Sequence, residues 1–226
     1  MANLKRGLIV SCQAVKGEPL FGCNMMHHFA RAAVAGGAVG IRANYVADIN
    51  AIRGEVSVPM IGIIKKVYED KPDVYITPTL NEVKDLLTTG IEVIALDCTN
   101  RERPLGTKLS DLVAYIREHS PQTEIMADCD TLESAEVAHE LGFDYIGTTM
   151  RGYTPLSKQF SIPDYDFVST IVKKYPDTKI VAEGGIWERD QLNAVSKLGV
   201  YAIVVGSSIT RPKDITERFV GALELC

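Results

Sequence analysis

Four times along this chain a helical pattern ends in glycine and runs straight into an apolar stretch, and the interval between copies restricts the fold more than any other feature. The copies are Gly36-Gly37-Ala38-Val39, Gly90-Ile91-Glu92-Val93-Ile94, Gly142-Phe143-Asp144-Tyr145-Ile146 and Gly199-Val200-Tyr201-Ala202-Ile203, each 52 to 57 residues after the last. That interval holds two strand-plus-helix units. Four copies make eight such units, as an eightfold barrel requires and a solenoid of short repeats does not. Glycine suits each position because the residue after a helix often takes the left-handed conformation.

Apolar, β-rich runs fall at 7–12, 38–43, 60–64, 74–77, 93–96, 124–127, 145–149, 179–182 and 202–205. The run at 74–77 begins too soon after Lys65 for a helix to fit between, and Lys71-Pro72-Asp73 is turn chemistry, so it reads as an excursion within the third loop. Eight barrel strands remain. Apolar residues near a 3.6-residue period predict helices over 24–35, 47–55, 80–88, 109–119, 132–141, 165–175, 188–198 and 215–225. Thr79-x-x-Glu82 is a capping box and Asp130-x-x-Glu133 resembles one. The expectation is an α/β protein, one (β/α)8 TIM-barrel domain over residues 1–226.

That length suits one barrel domain, and no apolar run approaches the roughly 20 residues needed to cross a bilayer. A cytoplasmic protein without membrane contact is expected. The five cysteines show no CxxC spacing, which argues for reduced thiols over a disulfide framework or a zinc knuckle. A net charge of −5 weighs against nucleic acid as a partner, yet a small anionic substrate needs only local positive potential.

In a barrel the residues that close the strands share one mouth. Here they are Gln13, Arg42, Lys65, Asp97, Asp128, the pair Thr148 and Thr149, Glu183, and Gly206 with Ser207. Lys65 stands out because it ends an uncharged run, Pro59 to Ile64, that suits a strand covered on both faces. Adjacent strand residues face opposite ways, so only one of Lys65 and Lys66 can point into the mouth. Gly184-Gly185 and Gly206-Ser207 end the seventh and eighth strands, where barrels often hold a phosphate on loop amides; Arg211 follows closely and could supply a guanidinium. All four histidines fall on predicted helices, which leaves a histidine–carboxylate metal site in the mouth without ligands.

Taken together, several stretches resemble one family. Ser11-Cys12-Gln13-Ala14, Gly40-Ile41-Arg42-Ala43, Ile61-Gly62-Ile63-Ile64-Lys65, Tyr75-Ile76-Thr77-Pro78-Thr79, Ala95-Leu96-Asp97, Met126-Ala127-Asp128, Gly152-Tyr153-Thr154, Ala182-Glu183-Gly184 and Ile209-Thr210-Arg211-Pro212 are similar to motifs of the N-acetylmannosamine-6-phosphate 2-epimerases. The resemblance runs from the first strand to the last helix. It implies a barrel without cofactor or metal that interconverts N-acetylmannosamine 6-phosphate and N-acetylglucosamine 6-phosphate in sialic acid catabolism, and by analogy a homodimer. Lys65 would be the catalytic base and Glu183 its acid partner. Gln13, Arg42, Asp128, Thr148, Tyr153 and Arg211 would bind the sugar, with Gly184, Gly185, Gly206 and Ser207 at the phosphate. Gly185 and Ser207 depart from the pattern, which usually has a larger residue at the first position and glycine at the second. The alternatives are another phosphosugar-processing barrel and a non-catalytic phosphosugar-binding barrel.

Lys65 and Glu183 would close strands four apart in a ring of eight, diametrically opposed across a bound substrate. For Lys65 to act as a base its ordinary pKa of about 10.4 must fall. Desolvation and Arg42 push it down, an ionised Glu183 pushes it up, and the sequence leaves the outcome open.

Overall fold

The computed structural model describes residues 4–69 and 71–224. Eight parallel strands close on themselves: β1 (Gly7–Cys12), β2 (Gly40–Asn44), β3 (Met60–Ile63), β6 (Val93–Asp97), β7 (Glu124–Asp128), β8 (Tyr145–Gly147), β9 (Lys179–Glu183) and β10 (Ala202–Val205). Each pairs with its predecessor and successor around the ring, and β1 meets β10 with Gly7 opposite Ala202. The two remaining strands, β4 (Lys65–Tyr68) and β5 (Lys71–Ile76), form an antiparallel hairpin outside the barrel. Helices α1 (Met26–Ala35), α2 (Val46–Arg53), α3 (Leu80–Leu87), α4 (Leu109–His119), α5 (Leu132–Glu140), α6 (Tyr165–Lys174), α7 (Arg189–Ser196), α8 (Ser207–Thr210) and α9 (Pro212–Gly221) follow the strands in turn.

The two-residue period of a strand divides the core into two. Ile9, Ile61, Ile63, Val93, Ala95, Met126, Tyr145, Val181, Ala202 and Val204 point inward and fill the barrel; Val10, Ile41, Met60, Ile94, Ile125, Ile146, Ile180 and Ile203 point outward against the helices. Gly62 shows how close that outer packing is, since a Cβ there would lie 3.0 Å from Ile91 and 3.2 Å from Ile49. The predicted helix-end glycines Gly37, Gly90, Gly142 and Gly199 all have positive φ. Thr79 and Glu82 form the expected capping box. On the next helix but one the box lies one residue later than the sequence suggests, with Thr131 and Ser134 exchanging the bonds. The short α8 was absent from the predicted set.

The third loop positions the mouth. The chain leaves the barrel at Ile64, whose amide bonds Thr77 Oγ1 at 3.2 Å while Thr77 N donates to Ile64 O at 2.8 Å. The run at 74–77 therefore folds back on the residues after β3, with Lys65 opposite Ile76 and Lys66 opposite Tyr75. Lys65 is the root of that hairpin instead of the last residue of the barrel strand. Lys66 turns outward, where its Nζ lies 2.8 Å from Glu82 Oε1 on α3.

Candidate active site

Because Ile9 and Ile61 face inward, every second residue beyond them must as well, and the upper ends of the strands bring polar groups into one layer. Arg42 on β2 is fully buried and reaches across to β7, with Nη2 2.6 Å from Asp128 Oδ2 and Nη1 3.2 Å from Asp128 Oδ1. The same Nη1 lies 3.3 Å from Glu183 Oε2 on β9. Thr149 completes the group, its hydroxyl 2.6 Å from Asp128 Oδ1 and 3.0 Å from Glu183 Oε2. Burial disfavours the guanidinium charge, but Asp128 and Glu183 outweigh it, so Arg42 stays protonated.

Lys65 and Glu183 titrate in opposite directions. Burial, followed by the charges of Arg42 and Arg211, lowers the Lys65 pKa from 10.5 to about 8 against the opposing pull of Glu183 and Asp128. Desolvation therefore wins the contest that the sequence left open. Burial also raises Glu183 above the usual carboxylate range; Asp128 adds to the rise, while Arg42, the Thr149 hydroxyl and Lys65 oppose it. A lysine and a carboxylate whose charged forms are both disfavoured share one mouth, Lys65 just beyond the end of β3 and Glu183 at the end of β9, on opposite sides of the ring.

The other sequence candidates divide by what they touch. Thr148 sits just past β8 with its hydroxyl on the Glu183 backbone, accepting from N at 2.9 Å and donating to O at 2.9 Å; it holds Glu183, and Thr149 is the one that faces the carboxylates. Tyr153 is 62% exposed on the loop after β8, near Gly184. That loop is tied down by Thr154 Oγ1 bonding Asp130 Oδ2 at 2.6 Å and by Arg151 paired with Asp164 at 2.9 Å. Asp97, also at a strand end, spends its charge locally on Arg101 at 2.7 Å and on Thr99.

Gly184 and Gly185 turn the loop after β9 with φ of 112° and 71°. At Gly185 a Cβ would lie 2.4 Å from the Ile162 carbonyl carbon, so this chain has no room for a side chain there. After the neighbouring strand β10, α8 begins at Ser207, and its first bonds run from Ile209 and Thr210 back to Gly206 O, which leaves the Ser207 and Ser208 amides ahead of any intrahelical acceptor. Arg211 follows α8 with Nη1 3.3 Å from Glu18 and 3.7 Å from Asp214, in a cleft of about 620 Å³, counted to its open rim, between the loop after β1 and the start of α9.

Two inward residues were not singled out from the sequence as sugar ligands. Thr149 is one. Asn44, two residues after Arg42 and on the same face, is the other; its Oδ1 accepts the Lys65 amide at 3.0 Å. The alternation that places Arg42 in the mouth could have found it. Among the described residues no three His, Cys, Asp or Glu side chains converge as metal ligands, and no helix is long and apolar enough to cross a membrane.

Comparison with known proteins agrees with this architecture. A family model described as "Putative N-acetylmannosamine-6-phosphate epimerase" matches residues 26–225. Relatives with that description as 2-epimerases include one from Staphylococcus carnosus, 52% identical over 97% of both chains. Another, from Listeria innocua, is 47% identical over 99% of this chain and 97% of its own. The solved N-acetylmannosamine-6-phosphate 2-epimerase of Clostridium perfringens superposes with a TM-score of 0.92 at 45% identity, covering 97% of this chain and 95% of that one. A thiamine phosphate pyrophosphorylase from Pyrococcus furiosus, at 19% identity and a TM-score of 0.61, shares the fold alone. With the match spanning the mouth residues and the whole barrel, the chain belongs to the N-acetylmannosamine-6-phosphate 2-epimerase family.

Proposed function

We propose that this protein is an isomerase that interconverts N-acetylmannosamine 6-phosphate and N-acetylglucosamine 6-phosphate by removing and returning the proton on carbon 2. The observation that carries the reading is the pairing of Lys65, whose pKa is lowered to about 8, with Glu183, whose pKa is raised, from opposite sides of one mouth. With a pKa near 8, roughly a tenth of Lys65 is neutral at pH 7.

Inversion beside an aldehyde needs a base, a stabilised enolate and an acid on the other face. Neutral Lys65 takes the proton from carbon 2 of the ring-opened sugar; the electron pair of the C–H bond moves into the enolate, with the negative charge on the aldehyde oxygen. The Arg42 guanidinium, fixed by Asp128 and Glu183, supplies the positive charge of the polar layer where that enolate forms. Protonated Glu183 then returns a proton to carbon 2 from the opposite side. The products of one turn are the Lys65 ammonium and the Glu183 carboxylate, which are the states that run the reverse reaction. Gln13, Arg42, Asp128, Thr148, Tyr153 and Arg211 make up the sugar site, Thr148 through its hold on Glu183. We place the phosphate at Gly184, Gly185, Gly206 and Ser207, where the amides that open α8 favour an anion. No step calls on a cofactor or metal.

We place this single-domain enzyme, residues 1–226, in the cytoplasm, where a phosphorylated sugar is retained and where sialic acid catabolism supplies it. We also propose a homodimer. Its support is α9, which has no buried residue and exposes Phe219 and Val220. Proton NMR of N-acetylmannosamine 6-phosphate incubated with the protein tests the activity: appearance of N-acetylglucosamine 6-phosphate is expected, and an unchanged spectrum refutes it.

A further inference from the structure

We propose that Gln13 and Asn44 together read the acylamino group on the carbon that is inverted, and so set the preference for N-acylated hexosamine phosphates over plain hexose phosphates. This rests on the epimerase reading above. It adds Asn44 to the site and gives Gln13 a specific partner.

Cys12 on β1 lies opposite Ala43 on β2, so the next residues, Gln13 and Asn44, stand side by side on the inward face. One half of each amide is already tied. Gln13 Nε2 donates to Ser11 Oγ at 2.7 Å, and Asn44 Oδ1 accepts the Lys65 amide at 3.0 Å. Those ties fix which halves remain. Gln13 Oε1, an acceptor, and Asn44 Nδ2, a donor, are both buried without a partner among the described residues. A native fold rarely leaves such groups unpaired, because each is removed from water with nothing in return.

The two do not bond each other, so a ligand that satisfies both must span the gap between neighbouring strands, about 5 Å apart. A secondary amide offers the converse pair, an N–H for Gln13 and a carbonyl for Asn44, on adjacent atoms that point in opposite directions. A lone hydroxyl can also serve both, donating to Gln13 and accepting from Asn44 through one oxygen, so the choice between them rests on position. Asn44 holds the backbone of Lys65, and the proton that Lys65 removes is on the carbon that carries the acylamino group, which places that group beside these two side chains.

The test is calorimetric binding of two open-chain ligands that have no carbonyl at carbon 1 and cannot react, N-acetylglucosaminitol 6-phosphate and glucitol 6-phosphate. Wild type should bind the acetamido ligand at least tenfold more tightly. Gln13→Met removes the acceptor, and Asn44→Asp removes the donor while keeping Oδ1 and its bond to Lys65; each should shrink the ratio about threefold to tenfold. Any effect of the new Asp charge on the phosphate is common to both ligands and cancels in the ratio. Equal binding of the two ligands by wild type overturns the inference, as do variants that weaken both ligands by one factor, the signature of a role limited to placing Lys65. Should one variant fail to fold, the other variant and the wild-type ratio still decide. Wild-type turnover of N-acetylmannosamine 6-phosphate is measured alongside. Turnover with an unchanged ratio refutes this inference alone, whereas no turnover removes the epimerase reading beneath it.

Discussion

Replacing Lys65 with methionine should make the barrel more stable at neutral pH while removing its activity. In the folded protein burial, Arg42 and Arg211 bring the lysine pKa from 10.5 to about 8, a difference worth about 3.4 kcal/mol at 1.36 kcal/mol per tenfold change. An unfolded lysine keeps its proton to about 10.5 and the folded one releases it near 8, so between those values the unfolded chain binds more protons. Wild-type stability therefore rises across that window and carries the full penalty below pH 8. Because Lys65 is only partly shielded from solvent, the penalty at pH 7 should be discounted to about 2 kcal/mol. Methionine keeps an unbranched chain without the charge. Lys65→Met should thus melt on the order of 4 to 8 °C higher at pH 7, with the gap narrowing toward pH 10.5. Thermal melts at both pH values, paired with turnover falling about a hundredfold or more, make the check. A variant that melts lower than wild type by the same margin at both pH values would refute the reasoning, since the ammonium would then be a favourable part of the fold.

Three further perturbations separate the roles of neighbouring charges. Asp128→Ala leaves the fully buried Arg42 guanidinium without its bidentate partner and should cost about 3 to 5 kcal/mol in urea denaturation; an unchanged midpoint would contradict the pairing. Arg211→Ala should weaken binding of N-acetylmannosamine 6-phosphate by about 1.5 to 3 kcal/mol and barely affect the unphosphorylated sugar, and equal losses would place the guanidinium away from the phosphate. Lys66→Met removes a half-exposed ammonium from Glu82, a buried carboxylate that still accepts from Thr79 and Tyr68, so it should cost about 1 to 3 kcal/mol in stability and leave turnover within about threefold; loss of activity here but not in Lys65→Met would reverse the two lysines.

Much of this was legible in the sequence because strands and helix ends leave local marks. The glycines at 90, 142 and 199 counted the barrel units, and the alternation at Lys65 and Lys66 required that only one of the two enter the mouth; the pairing of Lys66 with Glu82 outside the barrel is what leaves Lys65 for it. What stayed hidden depends on distances between loops far apart in the chain. The 74–77 run could be removed from the barrel by spacing, yet nothing local says that it pairs back on Lys65 and moves that residue from strand end to hairpin root. The Arg211 contact with Glu18 joins positions 193 residues apart in numbering, and the division of labour between Thr148 and Thr149 depends on where β8 stops. The titration of Lys65 was undetermined for the same reason, since it sums burial with four charges on other elements.

The central claim is that one proton leaves carbon 2 to Lys65 and another arrives from Glu183, and reaction in heavy water tests it most directly. Product formed by the wild type should carry deuterium at carbon 2, because the arriving proton comes from a group in exchange with solvent. Glu183→Gln should still exchange the carbon 2 hydrogen of the starting sugar while forming little epimer, and Lys65→Met should do neither. Product that keeps its original hydrogen at carbon 2 would contradict the account, because that is the result of a hydride shift or an oxidation–reduction cycle.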